Sequence, residues 1–362
     1  MKGEESRRNQ YQFGFCAEDL VPNNHPIREI KLFVNKVLED LSPELRGMYN
    51  ERGRPSIPPE TLLKSYLLMV LFSVRSERQF CEMLKYNLLF QWFLNRGVMD
   101  SSFDSSVFSK NRERLLEHEI GRKFFEVVNI YLKESKLIAS EHFSVDGTLI
   151  EAWASLKSLE ERDREDFNQR TGGKKPSSIG RNDRYKSKTD PEASIASKPG
   201  TKPMLAYMGN ILMENRHGLC VDVEIESATG RAEPAAALRM INRQLQNNLR
   251  IKTVGADANY HRINFIQSLR EQNIIPHVAP HRTRNIKGLD GRTFNSAGYS
   301  LSQTNRKKIE KIFGWLKSIA HWNRTRYKST ERVSLFAILG AAVFNIIRSI
   351  KLNHPIATLD YS

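Results

Sequence analysis

The spacing of apolar residues changes at His142, and this change limits the fold more than any other feature of the sequence. Upstream of it, apolar residues such as Leu63, Tyr66 and Leu67 recur three or four positions apart, which predicts helices. From His142 onward the segment HFSVDGTLI alternates apolar and polar residues and is rich in β-branched types, which predicts a strand. The chain is therefore expected to have a helical first part and a mixed α/β second part.

Residues 1–140 are predicted to form an N-terminal all-helical domain. Pro58 to about Asn95 has the apolar spacing of two helices behind a proline-rich start. Two further helices are expected from Ser105 to about Glu117 and from Ile120 to about Lys136. Residues 141–352 are then left for the second domain.

The second domain is predicted to begin with a strand that carries Asp146. Residues 155–202 are polar, contain Gly-Gly, Pro and Ser, and lack periodicity, so they are interpreted as a mobile insertion. The remaining segments give the order β-β-β-α-β-α-β-α-α with five strands, in which a strand ends at Asp257, a long helix contains Glu310 and an apolar stretch closes the chain from Leu335 to Ile350.

A net charge of +15 and a pI near 9.7 favour a polyanionic partner, because Lys and Arg side chains neutralise phosphates and release counterions. Charge alone does not separate DNA, RNA and acidic lipid. The cysteines Cys16, Cys81 and Cys220 are odd in number and show no CxxC spacing, which argues against a disulfide framework or a zinc site and favours a reducing cytoplasm.

No membrane partner is expected from the sequence. The N-terminal segment MKGEESRRNQ is charged where a signal peptide needs an apolar stretch. The longest apolar run, Leu335 to Ile347, is shorter than a membrane-spanning segment.

Three carboxylates, Asp146, Asp257 and Glu310, are the candidate metal ligands and catalytic residues. Cleavage of a phosphodiester with two magnesium ions requires hard oxygen ligands from different elements, held around ions roughly 4 Å apart. Neighbouring parallel strands would bring the two aspartates together, and the helix with Glu310 could pack beside them.

Each acid also has an ordinary structural interpretation. Asp146 precedes a glycine, and Asp-Gly is a common hairpin turn, although the continuous strand pattern around it disfavours a turn. Asp257 could cap the helix that follows. Glu310 stands among basic residues and could be a helix salt-bridge partner.

Spacings of four and seven residues place Arg306, Glu310 and Lys317 on one face of a helix. From His281 to Lys328 there are twelve Lys and Arg residues against two acids, which predicts a basic patch. The candidate DNA-binding residues in it are Arg306, Lys307, Lys308, Lys317, Arg324 and Arg326. The interleaved aromatic residues Tyr299, Trp315, Trp322 and Tyr327 could stack on bases, although core packing also accounts for them.

Several segments, in this order, resemble the DDE transposases of bacterial insertion sequences, in the insertion sequence 4 and 5 superfamily and most closely its insertion sequence 5 group. The helical segment that begins RGRPSIPPETLLK resembles that family's N-terminal domain. The segments SVDGTLIEAWAS, TDPEA, YMGNILMENRHGL, GADANYH and SQTNRKKIEKIFGWLK resemble its catalytic blocks. One departure is Gln303, where related enzymes often carry Tyr, and close relatives tend to be more basic at Thr304.

The resemblance and the order of elements together predict an α/β ribonuclease-H-like catalytic domain with a mixed five-stranded sheet. The resemblance assigns the three acids to Asp146, Asp257 and Glu310. It implies two Mg²⁺ ions, replaceable by Mn²⁺, that cut a strand at the terminal inverted repeats and let the freed 3′-hydroxyl attack target DNA. Arg306 and Lys317 would steady a phosphate at this site.

The expected partners are the element ends and target DNA, bound by a homodimer, and the expected location is the bacterial cytoplasm in association with the nucleoid. Recognition of the DNA sequence of the inverted repeats is expected around Arg52 to Arg54 and Ser105 to Arg114. Two rival functions are a nuclease of the same fold that cuts without joining, and a DNA-binding regulator whose acids are structural.

Overall fold

The computed structural model describes residues 17–49, 56–97, 100, 102–139, 141–171, 180–197, 200–229, 232–281, 289 and 291–352. Two compact units divide the chain: one runs to Leu137 and includes the residues from Ile338 onward, and the other is Ile138–Ala337. Cys16 and the predicted sequence-reading segment Arg52–Arg54 lie outside the described residues.

The described residues of the first unit up to Leu137 are helical. Its elements are α1 (Ala17–Leu20), α2 (Pro26–Asp40), α3 (Ser42–Gly47), α4 (Pro59–Leu71), α5 (Glu77–Leu84), α6 (Leu88–Phe93), α7 (Ser105–Glu117) and α8 (Ile120–Glu134). Pro58 to Asn95 contains three helices where two were predicted, because the side chains of Ser76 and Asn87 each cap the start of a new helix.

Aromatic side chains from different helices form the core of this unit. Phe80 stacks on Phe90 with ring centroids 5.4 Å apart and meets Phe108 edge-on at 5.8 Å. Tyr66 also meets Phe108 edge-on, with ring centroids 5.3 Å apart. Arg112, within the second segment predicted to read sequence, pairs with Glu77 at 2.9 Å, so this arginine connects α7 to α5.

The second unit is built around a six-stranded mixed sheet. Its elements in chain order are β1 (His142–Glu151), β2 (Leu159–Glu161), α9 (Arg164–Thr171), α10 (Arg181–Arg184), β3 (Tyr185–Ser187), β4 (Ser194–Ala196), β5 (Met204–Glu214), β6 (Cys220–Ser227), α11 (Ala232–Gln246), β7 (Thr253–Ala256), α12 (Ile263–Glu271), β8 (Ile275–Val278), α13 (Gly291–Phe294), α14 (Ala297–Arg306) and α15 (Lys308–Ser318). The last helix, α16 (Thr330–Lys351), begins in this unit, and its residues from Ile338 belong to the first unit.

The strand order is β4-β5-β1-β7-β8, and β6 pairs with the same edge of β5 as β4 does. Strand β5 is antiparallel to β1, β4 and β6, whereas β1, β7 and β8 run parallel to one another. The predicted ribonuclease-H-like order of elements is confirmed. The sheet has one strand more than predicted, because the three residues of β4, inside the predicted insertion, pair with Met204 to Ala206 of β5.

The two faces of the sheet are covered by different elements. The side chain of Glu233 on α11 lies beside Gly147. On the opposite face Trp322, from the loop after α15, packs over Gly209 of β5 and its neighbour Ile150. Gly209 is paired with Thr148, so these two residues lie on the same face of the sheet, under Trp322. Side chains alternate along a strand, so Asp146, two residues before Thr148, projects to that face as well.

One helix among the described residues, α16, is long and apolar enough to cross a membrane: it has 22 residues, and an 18-residue window within it has a mean hydropathy of 1.9. The apolar run is thus part of a longer helix than the sequence predicted. Two-thirds of its apolar window, 67 %, is buried inside the protein. A mostly buried core helix can have the same length and apolar composition as a membrane-spanning helix.

The contact between Gly209 and Trp322 leads to the first prediction. A Cβ atom at Gly209 would lie 2.7 Å from Cζ3 of Trp322, and this indole is buried. We expect Gly209→Ala to lower the free energy of unfolding by about 1–3 kcal/mol through overpacking, measured by urea denaturation.

Gly314→Ala is the matched control, because a Cβ atom there would meet nothing within 4 Å. Alanine favours a helix interior, so this variant should be neutral or stabilised by up to about 1 kcal/mol. Equal destabilisation by both substitutions would contradict the proposed close contact.

Candidate active site

Asp146 lies in the middle of β1 with its side chain 20 % exposed. One carboxylate oxygen accepts the Gly147 N–H at 2.8 Å, and the other lies 3.5 Å from Nη1 of Arg306. The hairpin-turn interpretation is wrong, because β1 continues without a break from His142 to Glu151.

The register of the sheet brings the second acid beside the first. In the parallel pair β1–β7, Ser144 lies beside Gly255, and the same register extended by two residues sets Asp146 next to Asp257. Neighbouring strands are about 4.8 Å apart. Asp257 is the residue directly after β7, where the backbone leaves the sheet and its side chain can turn toward β1.

Asp257 also caps a short 3₁₀ turn, Ala258–Tyr260. Its Oδ1 accepts the backbone N–H of Asn259 at 2.8 Å, and Oδ2 lies 3.3 Å from the Asn259 side-chain amide. The capping interpretation is therefore confirmed for this turn, rather than for the α-helix that follows. A carboxylate oxygen has a second lone pair, so capping leaves it able to bind a cation.

Glu310 lies in the first turn of α15 and is exposed. Within the part of the chain that the structure describes, no ion pair involves it, so the salt-bridge interpretation is not supported there. The single long helix predicted around Glu310 is wrong in one respect: α14 ends at Arg306 and α15 begins at Lys308. Glu310 and Lys317 share one face of α15, while Arg306 belongs to the preceding helix.

The three acids are linked electrostatically. The pKa of Asp146 is raised to about 6, chiefly by burial and also by the charges of Asp257 and Glu310, and the Gly147 N–H and the Arg306 guanidinium offset part of the rise. Burial disfavours the ionised form of the Asp146 carboxyl group, and the two other negative charges add to that effect. Asp146 is thus the focus of a negative site formed by residues from β1, the end of β7 and α15.

Gln303 fixes the position of Arg306, although the sequence singled it out only as a departure from a family pattern. Its side-chain amide donates to the carbonyl oxygens of His277 at 2.6 Å and Ala256 at 3.2 Å. These carbonyls lie at the ends of β8 and β7. Its Oε1 is 3.4 Å from Nε of Arg306, so one side chain fastens α14 to the sheet and orients the arginine.

The other predicted DNA-binding residues fall into different environments. Nζ of Lys308 donates to the carbonyls of Asn215 at 2.8 Å and Arg216 at 3.2 Å, so two of its donors stabilise the β5–β6 turn. Lys307 is exposed in the one-residue link between the two helices. Lys317 lies in the last turn of α15.

Arg324 and Arg326 lie beside Trp153, a residue that the sequence analysis did not single out. Their guanidinium carbons are 5.5 Å and 5.4 Å from the centroid of its indole ring. Two of the aromatic residues named as possible stacking partners of bases are packed: Trp322 is buried against Gly209, and Tyr327 stacks on a phenylalanine ring at 3.6 Å.

The residues of this site fit a divalent cation by chemistry. All three acids supply hard oxygen ligands of the kind that Mg²⁺ and Mn²⁺ prefer. A bound cation would offset the burial and the neighbouring negative charges that raise the pKa of Asp146. Within the described ranges, no three His, Cys, Asp or Glu side chains form a closed metal-binding group. A ligand set made of the three acids would therefore require movement of side chains such as the exposed Glu310.

Comparison with known proteins gives two family matches. Residues 15–114 match the family described as Transposase domain (DUF772). Residues 140–346, more than half of the chain, match the family described as Transposase DDE domain.

Similar solved structures include two transposases. The piggyBac transposase synaptic complex with hairpin DNA is 9 % identical with a TM-score of 0.41, and the match covers 91 % of this chain and 75 % of that one. The Mos1 mariner paired end complex with Mn is 14 % identical with a TM-score of 0.21, covering 85 % and 100 %. Structural similarity at this level does not establish the fold. The fold assignment is based on the strand order of the sheet and on the family match.

The raised pKa of Asp146 leads to the second prediction. Its usual value is 3.8 and its value in the folded protein is about 6, so between these values the folded chain holds a proton that the unfolded chain lacks. Stability therefore falls as the pH rises through about 6. We expect Asp146→Asn, which cannot ionise, to be more stable than the parent by on the order of 2 kcal/mol at pH 7.5 without metal.

The measurement is chemical denaturation of both proteins in EDTA at several pH values. At pH 4 the difference should shrink to a few tenths of a kcal/mol, because Asp146 is then protonated in the folded parent and about half protonated in the unfolded one. A variant that is less stable than the parent at pH 7.5 would show that the ionised Asp146 stabilises the fold.

Proposed function

The chain belongs to the Transposase DDE domain family, and from this membership we propose that Asp146, Asp257 and Glu310 are the catalytic acids of a DNA transposase. The transposase class follows from the family match. The observation that supports the three residues is their electrostatic coupling, since the charges of Asp257 and Glu310 both raise the pKa of Asp146. They come from three separate elements, as a site assembled by the fold requires.

Enzymes of this family use divalent metal ions; here we propose two Mg²⁺ ions, replaceable by Mn²⁺. The metal would activate a hydroxyl for attack on phosphorus and stabilise the charge that develops on the phosphate oxygens. Asp146 and Asp257 would hold it from the sheet, and Glu310 from α15. Glu310 is exposed, whereas Asp146 and Asp257 are half-buried. The Glu310 side chain can therefore change its position when DNA is bound.

Arg306 is proposed to bind the phosphate next to the bond that is cut. Its guanidinium faces Asp146 at 3.5 Å, and a planar guanidinium can contact two phosphate oxygens at once. Once the carboxylate is neutralised by a cation, the arginine is free to turn toward DNA. Lys307, Lys317, Arg324 and Arg326 would hold neighbouring phosphates without reading sequence.

The reaction proposed for this site has two steps on DNA. The first cuts a strand at the terminal inverted repeats of a mobile element, and the second joins the freed 3′-hydroxyl to target DNA. Both steps displace one oxygen of a phosphodiester by another, so the same three acids and the same arginine serve both.

Further features are proposed at the level of the whole protein. Residues 1–140 would be the DNA-binding domain that reads the element ends, and residues 141–352 the catalytic domain. We also propose that the protein belongs to the insertion sequence 5 group. It would act as a homodimer on paired element ends and be located at the bacterial nucleoid. The catalytic-block motifs and the net charge of +15 support these proposals.

Substitution of the acids is the third prediction. Asp146→Asn, Asp257→Asn and Glu310→Gln keep the size of each side chain and remove its charge. Each should lower Mg²⁺-dependent strand cleavage by at least about a hundredfold, because metal ions supply several kcal/mol of transition-state stabilisation, while DNA affinity stays within about threefold.

Cleavage is followed on a labelled duplex that carries the element's own ends, and joining is followed with a pre-cut duplex that ends in a 3′-hydroxyl. Joined products with the parent protein support a transposase, whereas hydrolysis alone would favour the rival nuclease. Unchanged cleavage in all three variants would refute the catalytic assignment.

The contrast between Arg306 and Lys308 gives the fourth prediction. If Arg306 binds a phosphate, Arg306→Ala should reduce the slope of log K against log salt concentration by about 0.9 on duplex DNA. Lys308→Ala is the matched comparison, because its ammonium already donates to two carbonyls of the β5–β6 turn. The Lys308→Ala substitution should lower the melting temperature of the protein and leave the salt dependence of DNA binding nearly unchanged. The reverse pattern would assign the phosphate contact to Lys308.

A further inference from the structure

One edge of β1 is open beside Asp146. Among the described strands, β7 pairs with β1 up to Ser144, and the loop after α15 next bonds to this edge at Glu151, whose N–H donates to the carbonyl of Asn323. Residues an even number of positions apart in a strand direct their N–H groups to the same edge, so the N–H of Gly147 faces the open part. It donates to Oδ1 of Asp146, which draws this carboxylate toward the edge.

Glu233 approaches the same part of β1 from the other face of the sheet. It lies in the first turn of α11, and its Cγ is 3.2 Å from the position that a Cβ atom would take on Gly147. Gly147 follows Asp146 in the chain and has no side chain, so Glu233 lies directly against the backbone of β1. Since β7 ends at Ala256, the open edge beside this backbone can be reached from both faces.

The hydroxyl of Tyr260 connects the acids of the two faces. Tyr260 is fully buried, and its pKa is raised well above the usual value, chiefly by burial. The charges of Glu233, Asp146 and Asp257 also raise it, and Glu233 has the largest effect of the three. A charge shifts a pKa in this way when it is nearby, so Glu233 and the two aspartates surround the same phenol.

Two buried polar atoms near Glu233 have no hydrogen-bond partner in the part of the chain that the structure describes. One is the Tyr260 hydroxyl and the other is Oδ1 of the fully buried Asn210. This oxygen lies 3.0 Å from the same point over Gly147 that Glu233 approaches. Buried polar groups are nearly always hydrogen-bonded, and an exception indicates a bound water molecule or ion.

An ordinary role for Glu233 is to stabilise the start of α11, because acids in the first turn interact favourably with the positive end of a helix. Glu331 has the same place in α16. This role explains the charge of Glu233. It does not explain why the acid lies against a glycine next to Asp146, with two unpaired buried polar atoms nearby.

We propose that Glu233 is a fourth acid of the cation site, which reaches the divalent ion from the α11 face of the sheet, and that the Tyr260 hydroxyl donates a hydrogen bond to its carboxylate in that position. This inference rests on the proposed function, since it assumes that Asp146 and Asp257 hold a cation. Glu233 is half-buried and, like Glu310, has to move to complete the ligand set.

The experiment measures Mn²⁺ binding by the full-length chain without DNA, at pH 7.5, by electron paramagnetic resonance of the free ion. Mn²⁺ takes the same oxygen ligands as Mg²⁺, and no reaction is needed for the measurement. Glu233→Gln should weaken Mn²⁺ binding by at least about tenfold, because even groups that only support a metal site change its affinity by that much.

Glu331→Gln is the matched control, because Glu331 is an exposed first-turn acid of another helix. Both substitutions remove one favourable charge from a helix start, so both should lower the melting temperature in EDTA by similar small amounts. Glu331→Gln should leave the Mn²⁺ affinity unchanged.

Tyr260→Phe tests the hydroxyl, since it keeps the aromatic ring. In EDTA this variant should be at least as stable as the parent, because the hydroxyl that it removes is buried and unpaired. Its Mn²⁺ affinity should fall by about three- to tenfold, the effect of losing one hydrogen bond to a charged group.

Asp146→Asn separates the failure of this inference from the failure of the proposed function. If Asp146→Asn abolishes Mn²⁺ binding while Glu233→Gln binds like the parent, Glu233 only stabilises its helix and the inference is overturned. Equal losses in Glu233→Gln and Glu331→Gln would also overturn it, because net charge would then account for both. If the parent binds no Mn²⁺, or Asp146→Asn binds it equally well, the proposed cation site itself fails.

Discussion

The parallel pairing of β1 with β7 is the interaction on which the rest of the site depends. It sets Ser144 beside Gly255, and through this register it brings together two aspartates that are far apart in the sequence. The helices α14 and α15 then need only to be fastened to the ends of the same strands. Gln303 does this through the carbonyls of Ala256 and His277, so the position of Arg306 is also defined by β7.

The same arrangement has an energetic cost. A partly buried carboxylate with two other acids nearby is unfavourable, as the raised pKa of Asp146 shows. Arg306 and the Gly147 N–H offset part of this cost in the absence of metal. Strand β1 is paired with β5 through and beyond Asp146 and with β7 up to Ser144, which is why the fold can hold an acid where its charge is disfavoured.

Much of the fold could be predicted because its determinants are local. The strand with Asp146, the order of elements after it and the helices from Ser105 onward all follow from hydrophobic spacing. The break at Lys307 could not be predicted, since the residues around it have good helix spacing and the break depends on how α14 and α15 pack. The same holds for β4, which is only three residues long and becomes a strand because β5 offers an open edge. Trp153 was missed because nothing in its own segment indicates that Arg324 and Arg326 meet it.

Strands β1 and β5 are hydrogen-bonded neighbours along nine residue pairs, yet residues 152–203 come between them in the chain. The entropy of closing such a loop grows only with the logarithm of its length, by about 0.6 kcal/mol for each doubling. Residues that are not paired with the sheet can therefore be lengthened or shortened at little thermodynamic expense. This makes the connection between β1 and β5 the natural place at which related proteins would diverge in length, and a position at which a reporter domain could be inserted without moving the acids.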